Sequence, residues 1–366
     1  MQDLKAISRL FETRADFLTA RPHGSGHIND TFCATYNQAG REIRLIHQRI
    51  NSHVFRNPEA LMENIDRVTR HSLARLVEAG HSEAHRRTLT LIPSCDGLPW
   101  ARDAEGGYWR TFPFIEGALG YEEIENLRQA EEAAKAFGEF QKLAADLKGP
   151  RLHETIPDFH HTPKRLDALR AVLENAPKDR MERVGDDLEF AFSRAADARV
   201  ITDLIASGDV PERVTHNDTK LSNVLLDEAT SEGVCVIDLD TTMPGSVLYD
   251  FGDMVRTACP TTREDEVDLS VIDVRMDRFE ALIRGYLAAA SFLVPAEVEH
   301  LAFSGKLLAL ECGIRFLTDY LDGDHYFKTH RPGHNLDRCR AQFALVRAIE
   351  KRLPEMEDVV ARTENK

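Results

Sequence analysis

His216-Asn217-Asp218-Thr219-Lys220-Leu221-Ser222-Asn223-Val224-Leu225-Leu226, followed after a short polar interval by Val236-Ile237-Asp238-Leu239-Asp240, is the stretch on which the reading of this 366-residue chain turns. Val214 to Leu226 and Val234 to Asp240 are apolar runs separated by Asp227 to Gly233, a pattern that predicts a β-hairpin. Such a hairpin brings Asp238 back beside Asn223, and period-two alternation places Asp240 on the same face as Asp238. Carboxylates at the ends of apolar strands are costly to desolvate unless a cation or hydrogen bonds compensate. Their joint presence therefore points to a functional site.

Outward from the hairpin the chain divides in two. Toward the N-terminus, turn residues punctuate β-rich runs at Ile28 to Tyr36, Glu42 to Ile50, Thr88 to Ile92 and Leu98 to Ile115, the last folding back at Glu105-Gly106-Gly107. One helix interrupts them. After Pro58, Leu61, Ile65, Val68, Leu73, Leu76 and Val77 recur near helical spacing, and Gly80 stands just beyond as a terminator. From about Glu122 the pattern turns to long amphipathic helices at Ala130 to Leu147, Pro163 to Leu173, Leu188 to Ile205, Arg278 to Leu293 and Val298 to Leu321. The expectation is an α+β chain with a small mixed sheet lobe, residues 1–115, and a larger, mainly helical lobe, residues 116–366. Gly117 and Gly120 mark the crossing as a hinge.

Composition excludes several classes. With 61 acidic against 46 basic side chains the formal charge is -15, a field that repels nucleic acid and anionic membranes. The same field opposes a nucleotide, so a nucleotide site here needs local cations or magnesium. Six scattered cysteines without metal spacing read as reduced thiols. Charged residues throughout Met1 to Phe17 disfavour a signal peptide, and no apolar run is long enough for a membrane span. A cytoplasmic location is expected, with monomer and homodimer both open.

Phosphoryl transfer needs three things in one small volume: a carboxylate to orient and deprotonate the acceptor hydroxyl, oxygen ligands for magnesium, and positive charge over the migrating group. Asp218, four intervening residues and Asn223 have the spacing of a kinase catalytic loop, with Asp218 as base and Asn223 as metal ligand. Lys220 is the nearby cation. Asp238 completes a pair of hard oxygen donors, and Asp240 is either a further magnesium ligand or a support for one.

His-Asn-Asp-x-Lys-x-x-Asn followed by Ile-Asp-Leu-Asp resembles the signature of the aminoglycoside phosphotransferase and choline kinase-like superfamily. Within it, Arg213 to Asp227 and Val236 to Asp253 are similar to the bacterial N-acetylhexosamine 1-kinases, as are Gly24 to Phe32, Pro113 to Gly117 and Glu311 to Phe327. The likeness runs from about residue 20 to about residue 350. It implies a protein-kinase-like two-lobed fold that uses ATP and Mg2+ to phosphorylate the anomeric C1 hydroxyl of N-acetylglucosamine or N-acetylgalactosamine. By the same resemblance Asp218 is the base, Asn223 and Asp238 hold magnesium, and Gly24, Ser25, Gly26 and His27 form the loop over the phosphates. His27 is also a candidate sugar contact. Phe112, Phe114 and Ile115 lie in the segment that faces adenine, and Arg315 and Tyr326 are the implied sugar contacts. Arg315 offers fixed parallel donors, Tyr326 a ring face and a hydroxyl.

Gln48 stands where protein kinases carry a phosphate-contacting lysine, with Arg49 beside it on the opposite strand face. A hydrogen bond from Gln48 to Glu63 is then expected in place of the usual ion pair. His160 and His161 read as loop residues and not as metal ligands. Two other readings remain at this point: a kinase of the same superfamily acting on N-acetylmuramic acid, a plain hexose, choline, homoserine or an aminoglycoside, and a non-catalytic sensor of nucleotide or sugar.

Overall fold

The structure is a computed structural model, and it describes residues 3–24 and 28–364. Five antiparallel strands, β1 (Asp16–Pro22), β2 (Asp30–Gln38), β3 (Arg41–Arg49), β4 (Ala101–Arg102) and β5 (Tyr108–Pro113), form the N-terminal sheet in the order β1-β2-β3-β5-β4. β2 and β3 are joined through Ala39 and Gly40, both at positive φ (53° and 86°), a two-residue turn whose twist matches the strands. Asn37 accepts the Gly40 amide at 2.8 Å and so closes the turn.

One long helix, Pro58–Glu78, follows β3 and packs its apolar face against helix Leu127–Ala144 of the helical lobe. Asn57 caps it by accepting the Ala60 amide at 3.1 Å, and Pro58 occupies a first-turn position where no amide is needed. Leu61, Met62, Ile65, Val68 and Leu76 are buried, whereas Val77 is exposed. The sequence reading errs at Thr88 to Ile92, which forms no strand. Only the Ile92 amide there reaches β5, donating to the Thr111 carbonyl at 2.9 Å.

The remainder is mainly helical, which agrees with the expected α+β class and two-lobed plan. Between the lobes, β6 (Ala118–Gly120) pairs antiparallel with β8 (Val224–Asp227), which pairs in turn with β9 (Gly233–Val236). The crossing is therefore stitched to the hairpin: a Cβ on Gly120 would lie 3.0 Å from the Ser222 carbonyl oxygen, so the glycine serves close approach.

Helix Leu301–Asp322 runs through the lobe between helices Val247–Ala258 and His334–Glu364. The run Leu188 to Ile205 is two helices, Gly185–Ser193 and Ala195–Ser207, broken at Arg194, whose guanidinium pairs with Glu350 at 2.9 Å and lies over the Phe190 ring. Helices Leu127–Ala144 and Met276–Ala289 approach most closely at Gly285, where an added Cβ would meet the Glu131 carbonyl oxygen at 1.9 Å. A backbone atom cannot rotate away. Gly285→Ala is expected to lower stability by about 1–3 kcal/mol, read as a reduced urea midpoint at unchanged slope.

Candidate active site

β7 (Arg213–Thr215) pairs with β10 (Met243–Gly245), and the loop 216–223 runs from β7 to β8. Its backbone is held by side chains from the helical lobe. Asp250, fully buried, accepts the amides of His216 (2.9 Å) and Asn217 (2.6 Å) and the Gln141 side-chain amide (2.6 Å). Burial pushes the Asp250 carboxyl up, with these donors acting against it. Asp253 accepts the Thr219 amide at 3.0 Å and pairs with Arg256. The Asp-Phe-Gly tripeptide at 250–252 thus lies in a helix, and its aspartate is committed to the loop backbone.

The loop presents Asp218 with its side chain one-third exposed, 33 %. Asp218 Oδ2 receives Lys220 Nζ at 3.1 Å and Asn223 Nδ2 at 3.0 Å. Burial pushes its carboxyl up, but the adjacent Lys220 ammonium and these hydrogen bonds outweigh that and hold it below the ordinary carboxylate value. An ionised, oriented, reachable carboxylate results. His216 supports the loop from behind: its Nε2 bonds the Ile237 carbonyl at 2.9 Å, and its Nδ1 accepts the Asp218 amide at 3.3 Å.

The Ile237 amide donates to the Asn223 carbonyl at 2.9 Å, which sets Asp238 beside Asn223. Asp238 has φ +59°, a conformation open to Asp at low cost. Burial, then the neighbouring Asp240 and Asp218 carboxylates, push its carboxyl up to about 6. An under-compensated carboxylate beside an amide oxygen donor fits a hard cation. Among the described residues no group of three or more His, Cys, Asp or Glu is arranged to hold a metal alone. A magnesium ion here would accordingly draw further ligands from nucleotide phosphates.

Asp240 is placed differently from the sequence expectation. β9 ends at Val236, Asp238 turns left-handed, and Asp240 lies in a short helical turn, so strand alternation does not apply. Its buried carboxylate is spent on the Arg110 guanidinium of β5 and the Asn29 amide. In this arrangement Asp240 is engaged by protein donors and stands as a support beside Asp238. Gln48 faces Arg110 across the β3–β5 pair, accepting Arg110 Nε at 3.0 Å and donating to Thr31 Oγ1 at 2.9 Å. The bond to Glu63 is not made. Glu63 is on the outer helix face and pairs with His153 at 2.8 Å, while the buried neighbour Asn64 bonds the His153 backbone and the Thr242 carbonyl. Arg49 points the other way, toward Asp103 and Glu105.

Gly24 is exposed at φ +79°; Ser25, Gly26 and His27 lie outside the described residues. Phe112 is buried on the Arg110 side of β5, and Ile115 packs with Leu225 and Ile237 of the hairpin. Phe114 lies instead under Arg44, 3.8 Å from its ring centre, and meets the His23 ring edge-on. Arg315 projects among the Phe159, Tyr326 and Phe327 rings at 5.2, 5.8 and 5.4 Å, with Tyr326 64 % exposed. Its helix reaches the 216–223 loop through Glu311, His160 and the Asn217 carbonyl. The sequence reading missed Arg110, Asp250 and this bridge. A lone arginine inside the apolar run Trp109 to Phe112 was the available signal for Arg110.

The model of the phosphotransferase enzyme family matches residues 19–290. The chain belongs to that family. Among solved structures, it is similar over 99% of its length, and 97% of the other chain, to an aminoglycoside phosphotransferase from Alicyclobacillus acidocaldarius, at 12% identity and TM-score 0.61. An ethanolamine kinase of Plasmodium vivax matches 88% of this chain and 82% of its own, at 14% identity and TM-score 0.54. A spectinomycin phosphotransferase in complex with ADP and spectinomycin matches 100% and 99%, at 13% identity and TM-score 0.50. At such identities the likeness speaks for the fold of this phosphotransferase-family chain.

Proposed function

We propose that the protein is an ATP-dependent, magnesium-dependent kinase that phosphorylates the anomeric C1 hydroxyl of N-acetylhexosamines. The observation that carries the kinase reading is the ionised, one-third exposed Asp218 carboxylate, fixed by Lys220 and Asn223 beside Asp238. In this reading Asp218 orients the acceptor hydroxyl and takes its proton, and Lys220 offsets charge on the transferring phosphoryl group. Asn223 and Asp238 would hold the magnesium ion, which supplies charge neutralisation at phosphate oxygens. Nucleotide would lie under the N-terminal lobe, against Phe112 and Ile115.

The sugar assignment is supported by the sequence segments set out above and by Arg315, which meets three aromatic rings. A guanidinium in the acceptor pocket disfavours a cationic acceptor such as choline or an aminoglycoside. The test is a coupled ADP-release assay over N-acetylglucosamine, N-acetylgalactosamine, N-acetylmuramic acid, plain hexoses, choline, homoserine and an aminoglycoside, with phosphorus NMR of the product. An anomeric phosphate is expected; a 6-phosphate or a preference for choline overturns the assignment.

Asp238 also makes metal use pH-dependent. Its folded-state pKa is raised to about 6, so protons compete with the cation below that value and the competition fades as pH rises through it. Apparent magnesium affinity is expected to be about tenfold weaker at pH 5 than at pH 7.5, the weight of one proton at a site titrating near 6. Magnesium-induced thermal stabilisation of the ADP complex measures it. Asp238→Asn should leave only the titration of the nucleotide itself.

A further inference from the structure

Asn217, which immediately precedes Asp218, has φ +64°, and each of its polar groups is engaged. Its amide donates to Asp250, its side-chain nitrogen donates to the Thr241 carbonyl at 2.9 Å, and its side-chain oxygen accepts Thr215 Oγ1 at 3.1 Å. The carbonyl is met from outside the loop by His160 Nε2 at 3.1 Å. His160 Nδ1 in turn lies 2.8 Å from Glu311 Oε1, and Thr162 Oγ1 donates to Glu311 Oε2 at 2.6 Å. All three side chains are buried.

Both ring nitrogens of His160 face acceptors. A backbone carbonyl has no proton to give, and Glu311 is ionised: burial pushes its carboxyl up, but the adjacent His160 and the two hydrogen bonds hold it lowered. Each ring nitrogen thus lies against an oxygen acceptor, so the ring links the loop carbonyl to Glu311. The partner at Nδ1 is a carboxylate in a buried site, where a hydrogen bond to a charged group is strong. Glu311 belongs to the helix that carries Arg315 one turn later.

We infer that His160 and Glu311 form a positioning pair that fixes the Asp218 loop in register with the acceptor-binding helix. Neither touches the reacting atoms. The inference rests on the reading that Asp218 faces the acceptor and Arg315 contacts it. What the pair sets is the separation between base and acceptor, to which transfer is steeply sensitive. The nucleotide contacts of the proposed reading, Phe112, Ile115, Asn223 and Asp238, are not among the residues this pair touches.

The test compares His160→Ala, Glu311→Ala, the double variant and Glu311→Gln with the wild-type chain, all checked by circular dichroism. Either alanine variant is expected to lower kcat about tenfold to a hundredfold, as for loss of a buried hydrogen bond to a charged group, and to raise the acceptor KM while the ATP KM stays within about twofold. The double variant should be no worse than the singles, because they break one link. Glu311→Gln, which still accepts from the imidazole, should recover part of the loss. Hydrogen exchange read by mass spectrometry over 213–226 needs no acceptor, and should quicken about tenfold or more in His160→Ala. Unchanged exchange there in a folded variant, additive losses, or equal shifts in both KM values overturn the inference. Absence of transfer by the wild-type chain to every acceptor would overturn the proposed function instead, and the exchange experiment would still decide for or against the clamp.

Discussion

Asp218→Asn is expected to leave the fold intact and to reduce turnover at least about a hundredfold, the lower end for removal of a positioned general base. The substitution is nearly isosteric. If its amide oxygen takes the place of Oδ2, it can still accept from Asn223 and Lys220, so the loop loses little of its framework. What it loses is the negative charge. The structure holds that charge in place by matching it to Lys220 against the opposing effect of burial, so Asp218 stays ionised through the neutral range, as the proposed base role requires. The ATP KM should change little, because Asn223 and Asp238 are untouched; turnover within about threefold of wild type, at equal thermal stability, would remove Asp218 from the base role.

The parts of the site that were legible in the sequence share a property: they are close along the chain. Asp218, Lys220 and Asn223 sit within one loop, and the hairpin returns Asp238 to Asn223 through a pairing that two apolar runs around a polar turn announce. Chemistry that needs fixed residue types at fixed spacing leaves such a trace. Asp240 shows where the same logic fails. Period-two reasoning assumes that the strand continues, and here it stops at Val236 because the chain turns left-handed at Asp238.

Longer-range partners left no trace of this kind. Arg110 and Asp240 are 130 residues apart, and His160 and Glu311 are 151 apart; their meeting depends on how a sheet and a helix settle on the hairpin. Glu63 and Asn64 differ by one position, yet that step is about 100° of helix rotation and decides which of them faces the lobe below. Period alone gave the apolar face of this helix but not the polar residue that would bond across it. The two-lobed α+β plan was readable because it rests on composition summed over whole segments.

Arg110→Met is expected to destabilise the protein by about 3–5 kcal/mol, since it leaves the Asp240 carboxylate buried without its cation. The side chains are 1% and 5% exposed, so water cannot take over the lost interaction. The pair also spans the lobes, β5 on one side and the catalytic hairpin on the other, so its loss should loosen the roof of the site. A urea midpoint and the ATP KM should both report this. Arg110→Met with Asp240→Leu is expected to recover most of the stability, because an apolar pair of similar volume costs little where an unpaired charge costs much. The two variants should separate in metal binding as well. Arg110 lowers the Asp238 pKa and Asp240 raises it, the second effect being the larger. The single substitution therefore pushes the Asp238 proton to higher pH and, on the proposed reading that Asp238 holds magnesium, should weaken magnesium binding at pH 7. The double substitution removes both influences and brings the Asp238 titration down, so its magnesium affinity at pH 6 should exceed that of the single variant. A single variant that loses less than about 1 kcal/mol would mean that Asp240 finds water or takes up a proton, and a double variant with no better stability would rule out the unpaired carboxylate as the cause.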